Sequence, residues 1–479
     1  MSQTDQGSAA RGPRMELGMV GLGVMGRNLL LNMADHGFPV AGYDQDPAKV
    51  AALRQEGKGL DLAAADGIDE LLALLRAPRA VMLLVPAGAP VDAVIAELAP
   101  RLQPGDLIID GGNSHFKDTD RREAELAKRG LLFLGLGISG GENGARRGPS
   151  LMPGGSAEAW QRVRPLLEAV AAQAPEPCVA HMGPGSAGHF VKMVHNGIEY
   201  ALMELIAENY DLMKRGFGLD NATIRKAFET WSAAGPGGYL LEITAHIFAR
   251  RDSLDGQDLI DAVLGVARQK GTGMWTSLSA MELQVPAPTI DLAVAQRDLS
   301  ALDHQRELAA RALPRATGLH RIEADRGVFL VYLGQALQAG MVMAFAQGMA
   351  VLGAASERYG YGLDLATVAR IWRGGCIIRT PLLEDIRAAC GRQPANLLLD
   401  PELARMVLAC EEGLRTVVCA GARAGIPIPG LMTALAYLDS FRSPWLPANL
   451  IQAQRDCFGA HTYERVDRPG QFHTEWEKE

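Results

Sequence analysis

The chain has 479 residues, 48% of them hydrophobic, with 55 acidic against 47 basic side chains and a formal net charge of −8. That length exceeds one ordinary core and predicts roughly two to four domains of a soluble globular protein, one without a membrane role. An acidic balance, with no Lys/Arg block interleaved with aromatics, excludes a nucleic-acid footprint; any anionic ligand must be held by a local cluster of cations.

Residues 1–14 are small and polar, lack the apolar stretch of a signal peptide, and read as a flexible arm. From 15 to 187, short apolar or β-branched runs alternate with helical patterns. Gly18–Val20, Phe38–Tyr43, Ala80–Val85, Asp106–Ile109 and Leu131–Leu134 are the strand candidates, which predicts a Rossmann-type α/β domain with a largely parallel, doubly wound sheet. Gly21-Leu-Gly23-Val24-Met25-Gly26 follows the first strand and opens a predicted helix over Arg27–His36. Such glycines permit a tight turn and close approach of a pyrophosphate to the helix N-terminus. Asp44, about twenty residues on, stands where a carboxylate accepts hydrogen bonds from ribose hydroxyls. Asp44-Gln45-Asp46 offers two carboxylates and no guanidinium for a 2′-phosphate, so NAD is expected as cofactor, with NADP as the alternative.

Two further stretches are dense in glycine, Asp110-Gly-Gly-Asn113 and Gly137 to Gly155. They read as loops that bring backbone N–H groups to a ligand, with Asn113 and Ser139 adding directed hydrogen bonds. Beyond Gly185 the strand signals stop, and 188–442 reads as an all-helical domain. Its first helix aligns Lys192, Asn196, Glu199 and Tyr200 on one face, with Phe190, Met193, Val194, Ile198, Ala201 and Leu205 opposite. A solvated polar face is the ordinary meaning of that pattern; a face turned to a cleft would carry a base and an acid.

Gly216-Phe-Gly-Leu-Asp220-Asn-Ala-Thr-Ile is echoed by Gly360-Tyr-Gly-Leu-Asp364-Leu-Ala-Thr-Val, and Leu-Leu-Glu follows at 240–242 and 382–384. The echo predicts an internal duplication, about 188–330 and 331–442, with Asp220 and Asp364 as helix N-caps. The apolar run Gly340–Ala355 reads as a buried helix. Residues 443–479 hold Phe458, Tyr463, Phe472 and Trp476, the composition of a tail that docks. Six cysteines lack metal-ligand spacing, which fits reduced thiols in a cytoplasm and no metal site, and Cys376 reads as a packed thiol.

Taken with Gln269-Lys270-Gly-Thr272-Gly, Trp372-Arg-Gly-Gly-Cys-Ile-Ile-Arg379 and Leu446 to Tyr463, these motifs closely resemble the 6-phosphogluconate dehydrogenases, the decarboxylating enzymes of the pentose phosphate pathway. The resemblance runs from about Leu17 to the C-terminus. It implies that Lys192 is the general base and Glu199 the acid. Asn113, Ser139, Gly140, Gly141, His195 and Asn196 match sugar-acid contacts, while Tyr200, Lys270, Thr272, Arg297, Arg455 and His461 match ligands of the phosphate and neighbouring hydroxyls. Gly21, Gly23, Val24, Met25, Gly26, Asp44, Gln45, Asp46, Val85 and Asn113 are the matching cofactor contacts. The resemblance also implies a homodimer in which the tail enters the partner's site, a tetramer being the larger alternative. The chain departs from the family at Asp44-Gln45-Asp46, where most members carry Asn-Arg-Thr and use NADP, and at Pro86 and Met274, where lysines are common. A related β-hydroxyacid dehydrogenase on a smaller acid, or a non-catalytic nucleotide sensor, are the competing expectations.

Overall fold

The computed structural model describes residues 14–314 and 321–476; the arm read over 1–14 lies outside them except for Arg14, whose N–H donates to the Leu74 carbonyl at 3.1 Å. Two compact units divide the chain, 1–434 and 435–479. The first opens with β1 (Leu17–Val20), α1 (Val24–Asp35), β2 (Val40–Tyr43), α2 (Pro47–Glu56), β3 (Leu62–Ala64), α3 (Ile68–Leu74), β4 (Ala80–Leu83), α4 (Ala89–Leu98) and β5 (Leu107–Asp110). It continues through α5 (Phe116–Ala127), β6 (Leu132–Ser139), α6 (Gly141–Arg147), β7 (Ser150–Gly155) and α7 (Ala157–Val170).

These strands form one sheet in the order β3-β2-β1-β4-β5-β6-β7, parallel throughout except for β6 against β7. Strand order reverses between β1 and β4, which opens a crevice at their carboxyl ends. β1, β4 and β5 are buried at every position. Helices cover both faces, so these strands read as continuous apolar runs without alternation. The five expected strands are present, and two more were not legible. β3 is only Leu-Ala-Ala, with little β propensity. β7, Ser-Leu-Met-Pro-Gly-Gly, carries a proline that only an edge strand tolerates. The stretch 137–155 is therefore not a loop but the end of β6, a short helix and β7. The first helix likewise begins at Val24, inside the glycine motif, and not at Arg27.

The helical part comprises α8 (Ala187–Asp211), α9 (Asn221–Ala234), α10 (Tyr239–Phe248), α11 (Leu259–Ala262), α12 (Thr272–Glu282), α13 (Pro288–Ser300) and α14 (Asp303–Ala312). After these come α15 (Arg326–Tyr359), α16 (Leu365–Ile371), α17 (Leu382–Gly391), α18 (Pro401–Ala424) and α19 (Pro429–Phe441). Each echoed segment lies between a long helix and two shorter ones: α8 precedes α9 and α10, and α15 precedes α16 and α17. Asp220 accepts a hydrogen bond from Thr223 N at 2.8 Å and Asp364 from Ala366 N at 3.1 Å, so both act as N-caps. Such a cap stabilises a helix by about 1 kcal/mol. α15 is long and apolar enough to cross a membrane by length and composition, but residues 339–349 are buried in the protein, and α15 packs on α8 and α18.

α8 is not amphipathic in the usual sense, because the expected apolar face is buried and the polar face is nearly so. Its first turns lie directly on β6 and β7. A Cβ on Gly188 would lie 2.2 Å from the Met152 carbonyl oxygen, and one on Gly154 would lie 2.2 Å from Gly188 N. A Cβ on Gly137 would meet Lys192 Cβ at 2.5 Å. Glycines 137 and 154, read as a ligand-approaching loop, instead let helix backbone touch sheet backbone.

The second unit holds the end of α19, α20 (Ala448–Gly459) and a hairpin of β8 (Tyr463–Glu464) and β9 (Gln471–Phe472). Asp456, fully buried, organises it by accepting from Thr462 N, Thr474 N, Trp476 Nε1 and the His473 ring. Tyr463 packs against Phe472 and Trp476, whereas Phe458 is exposed.

Overpacking so close a helix–sheet contact costs about 1–3 kcal/mol. Gly188→Ala is therefore expected to lower the thermal midpoint in scanning calorimetry by several degrees; an unchanged midpoint would refute the contact.

Candidate active site

At the carboxyl ends of β1 and β2 the glycine turn is shaped by contacts a side chain would break. Gly21 sits at φ +101°, and a Cβ on Gly26 would lie 2.0 Å from the Gly21 carbonyl oxygen. Gly23, the N-cap of α1, faces open space and supplies no capping side chain. The first-turn N–H groups of Val24 and Met25 are thus left for an anion, and these residues fit a dinucleotide pyrophosphate.

Asp44 is buried, and its carboxylate accepts from Leu22 N at 2.8 Å and Asp46 N at 2.9 Å. Lys49 Nζ lies 3.3–3.4 Å from both oxygens. Burial alone would raise this carboxyl group, but the two N–H donors and the lysine together hold it below its ordinary value. Asp44 therefore ties the glycine turn to β2. Lys49 is a cation that the sequence reading missed; its only signal was its place in the first turn of α2. Asp46 caps α2 through Ala48 N, and Gln45 is exposed.

Beside this crevice, the loop after β4 carries Val85 and Pro86, and the loop after β5 carries Asn113, which is exposed. A Cβ on Gly112 would come within 3.3 Å of the Val85 carbonyl oxygen, so the two loops run against each other.

The polar face of α8 forms a connected set of hydrogen bonds. Lys192 Nζ donates to Asn196 Oδ1 at 2.7 Å and lies 3.4 Å from His195 Nδ1, which is itself 3.0 Å from Asn196 Oδ1. Asn196 Nδ2 donates to Thr272 Oγ1 at 3.2 Å, at the start of α12. On the far side of the imidazole, Ser139 Oγ is 3.1 Å from His195 Nε2, and Ile377 N points at the same hydroxyl from 3.4 Å. Because Asn196 Oδ1 can only accept, the set is satisfied with the proton on Nδ1 and Nε2 accepting from Ser139. Ile377 and the neighbouring loop were present in the sequence only as a motif. The structure brings that loop over Gly140, where a Cβ would lie 2.4 Å from the Gly375 carbonyl oxygen. Trp372, also fully buried, presents an edge to His195 at 5.5 Å.

Electrostatics separates the two ionisable ends of this face. Burial lowers Lys192 from the usual ammonium range, against the opposing pull of Glu199 and Cys376. Burial raises Glu199, against Lys192 and Arg297, and holds His195 well below its ordinary value, with Lys192 adding to the effect. One group is pushed toward the neutral amine, the other toward the neutral acid. Seven residues of helix separate them, about 10 Å of rise.

Tyr200 continues the face, its ring stacked under the Arg297 guanidinium at 3.4 Å and pressed by Gly273. Lys270 is exposed just ahead of Thr272, and Gly141 is exposed at the start of α6. Arg455 and His461 belong to the second unit, where both are exposed. Cys376 is fully buried, donates to the Trp372 carbonyl at 3.0 Å, and is pushed by burial up to about 12, which suits packing and not nucleophilic attack.

A dinucleotide crevice together with a buried amine and a half-buried acid defines the class, a dehydrogenase. The matches to known proteins narrow this class. Residues 16–183 match the family described as "NAD binding domain of 6-phosphogluconate dehydrogenase" and residues 188–476 match "6-phosphogluconate dehydrogenase, C-terminal domain". The chain is 45% identical, over 97% of its own length and 100% of the relative's, to "6-phosphogluconate dehydrogenase, NADP(+)-dependent, decarboxylating" of Bacillus subtilis. It is 48% identical to the chloroplastic decarboxylating 6-phosphogluconate dehydrogenase 2 of rice (Oryza sativa subsp. japonica), covering 97% of this chain and 94% of that one. The solved 6-phosphogluconate dehydrogenase of Plasmodium falciparum, studied with NADP+ and with 6-phosphogluconate, superimposes with a TM-score of 0.92 at 39% identity, covering 96% of this chain and 100% of that one. The chain belongs to the 6-phosphogluconate dehydrogenases, decarboxylating oxidoreductases that act on a CH–OH group. NADP(+) is the cofactor named for the Bacillus and Plasmodium proteins, against the NAD expected from Asp44-Gln45-Asp46.

In the native protein, iodoacetamide at pH 8 is expected to label exposed Cys419 and spare Cys376 until the chain is unfolded, as read by peptide mass spectrometry. Native labelling of Cys376 at the unfolded rate would overturn its placement.

Proposed function

We propose that this enzyme oxidises 6-phospho-D-gluconate at C3, releases C1 as carbon dioxide and forms D-ribulose 5-phosphate in the pentose phosphate pathway, with NAD preferred over NADP. The observation that carries the assignment of roles is the opposite displacement of Lys192 and Glu199 along one helix face.

Lys192, neutral, takes the proton of the C3 hydroxyl. The bound nicotinamide supplies the acceptor for the C3 hydride. The product is a β-keto acid; protonated Lys192 gives its proton to the C3 carbonyl oxygen as the C1–C2 bond breaks, its electron pair becomes the C2=C3 double bond of an enediol, and carbon dioxide leaves. Glu199, protonated, then delivers a proton to C2, the carbon that becomes C1 of ribulose 5-phosphate, while neutral Lys192 takes the C3 hydroxyl proton as the enediol collapses to the ketone, and no metal is called for. Asn113, Ser139, Gly140, Gly141, His195 and Asn196 hold the sugar acid. Tyr200, Lys270, Thr272 and Arg297 surround its phosphate end.

NAD preference is supported by the commitment of Lys49 to Asp44 and by the absence of a guanidinium at Gln45, since a 2′-phosphate would stand beside a carboxylate without a bidentate partner. A homodimer is supported by exposed apolar surface in two places. α14 buries none of its residues and, with its flanks, exposes Leu299, Leu302, Leu308 and Leu313, and in the tail Trp445, Leu450, Ile451 and Phe458 are uncovered. In this reading the tail carries Arg455 and His461 into the partner's site. Six free cysteines suit a cytoplasmic setting.

Lys192→Met is expected to cut kcat by about 10²–10⁴-fold, the usual loss on removing a general base; unchanged turnover of 6-phosphogluconate would remove Lys192 from that role. The kcat/KM profile should be bell-shaped. Its acid limb, set by Lys192, lies below the ordinary lysine range because protonation removes the base. Its alkaline limb, set by Glu199, lies above the ordinary carboxyl range because ionisation removes the acid. Asp44→Asn combined with Gln45→Arg frees Lys49 and adds a guanidinium, so the ratio of kcat/KM for NADP over NAD should rise at least about tenfold, one charge-assisted pair's worth; a constant ratio would refute the account of the pocket.

A further inference from the structure

Among the described residues Arg122, on α5, is the only arginine in the buried class; its side chain is 1% exposed. It touches none of the groups assigned to substrate or cofactor, yet four of its five N–H donors are engaged at the carboxyl end of the sheet. Nη1 donates to Asp110 Oδ2 at 3.2 Å and to Ser114 Oγ at 3.1 Å, Nη2 to the Gly88 carbonyl at 3.1 Å, and Nε to Asp92 Oδ1 at 2.8 Å. Asp110 is fully buried; its other oxygen accepts from Gly112 N at 3.0 Å, and Ser114 Oγ–H closes onto Oδ2 at 2.6 Å.

One planar cation thus fastens two loops at once. Asp110, Gly112 and Ser114 frame Asn113 in the loop after β5, and Gly88 ends the loop after β4 that carries Val85. The same Asp110 is held from the other side by the catalytic helix, because His189 Nε2–H donates to its carbonyl oxygen at 3.1 Å while Thr119 Oγ1 meets His189 Nδ1 at 2.6 Å. Neither loop has regular structure of its own between strand and helix, so this fork fixes their separation.

We infer that Arg122 is a positioning residue for hydride transfer: by clamping Asp110 and the Gly88 carbonyl it sets the spacing of Val85 and Asn113, and through His189 registers both against α8. The inference rests on the reading of Val85 and Asn113 as cofactor and substrate contacts. Lysine is a point charge and cannot span Asp110 and Gly88 as a fork does.

The experiment uses the full-length enzyme with 6-phosphogluconate and each cofactor in turn. Arg122→Met alone strands a buried carboxylate and tests folding as much as geometry. The informative variants are therefore Arg122→Lys and the charge-neutral pair Arg122→Met with Asp110→Asn, checked by near-UV circular dichroism, gel filtration and thermal midpoint. Folded protein of either kind is expected to show raised KM for substrate and cofactor, kcat/KM lower by about tenfold to 10²-fold, the scale of a misplaced reacting pair, and a larger primary isotope effect with 3-deuterated substrate. Wild-type kcat/KM and isotope effect in either folded variant would overturn the inference, as would a loss no greater than the unfolded fraction. Asn113→Ala separates the underlying reading: wild-type KM values in that variant would remove Asn113 from the ligand site itself, whereas an impaired Asn113→Ala beside an unimpaired Arg122→Lys would count against the clamp alone.

Discussion

Where α8 crosses β6 and β7 there is no room for a Cβ, and the helix lies backbone against backbone on the sheet through Gly137, Gly154 and Gly188. That contact places Lys192 one turn after Gly188 and against Gly137 of the strand that ends in Ser139, and it brings His189 to the end of β5. It is also where the parallel-sheet domain is joined to the helical one. A helix standing off by even one methyl layer would separate the nucleotide crevice from the amine and the acid. Close packing of interiors makes such a contact all-or-none.

Burial then sets the proton affinities of the polar stripe. In water, Lys192 would be an ammonium and Glu199 a carboxylate, the wrong forms for the base and acid proposed for them. Enclosure by β6, α12, α13 and the loop around Trp372 disfavours both charges, and the two groups are pushed in opposite directions along the pH scale. The neutral amide of Asn196 and the neutral ring of His195 satisfy the hydrogen bonds of the site without restoring charge. Stability is given up here, since polar groups inside a core cost free energy that apolar ones would not. The helical bundle, with α15 buried along its middle, supplies the apolar mass around this polar face.

Much of the architecture was legible in local pattern. Alternating runs located five strands, the glycine motif located the turn, and Asp220 and Asp364 were readable as caps because capping depends on neighbours in sequence. β3 and β7 were not readable, since three residues carry little periodicity and a proline argues against a strand unless the strand is known to be an edge. The dense glycines from 137 to 155 were visible but their meaning was not. They looked like a ligand-hugging loop, yet Gly137 and Gly154 serve helix-on-sheet contact and Gly140 makes room for the Gly375 carbonyl. Lys49 showed only its place in the first turn of α2 and Ile377 only a motif, while Arg122 left no signal of its own, because Asp92 and Gly88 lie 30 and 34 residues away.

The sequence by itself determined which chemical groups are present, which domain class they sit in, and, through several long motifs in a fixed order, the family. Side-chain identity and short-range periodicity are properties of the chain, so they survive without coordinates. Only the tertiary structure decided that the stripe from Lys192 to Tyr200 faces inward, that Asp44 spends its carboxylate on Leu22, Asp46 and Lys49, and that Arg122 spans two loops. Proton affinity and hydrogen-bond partners are set by distance and solvent access, and both are created when residues far apart in sequence pack together.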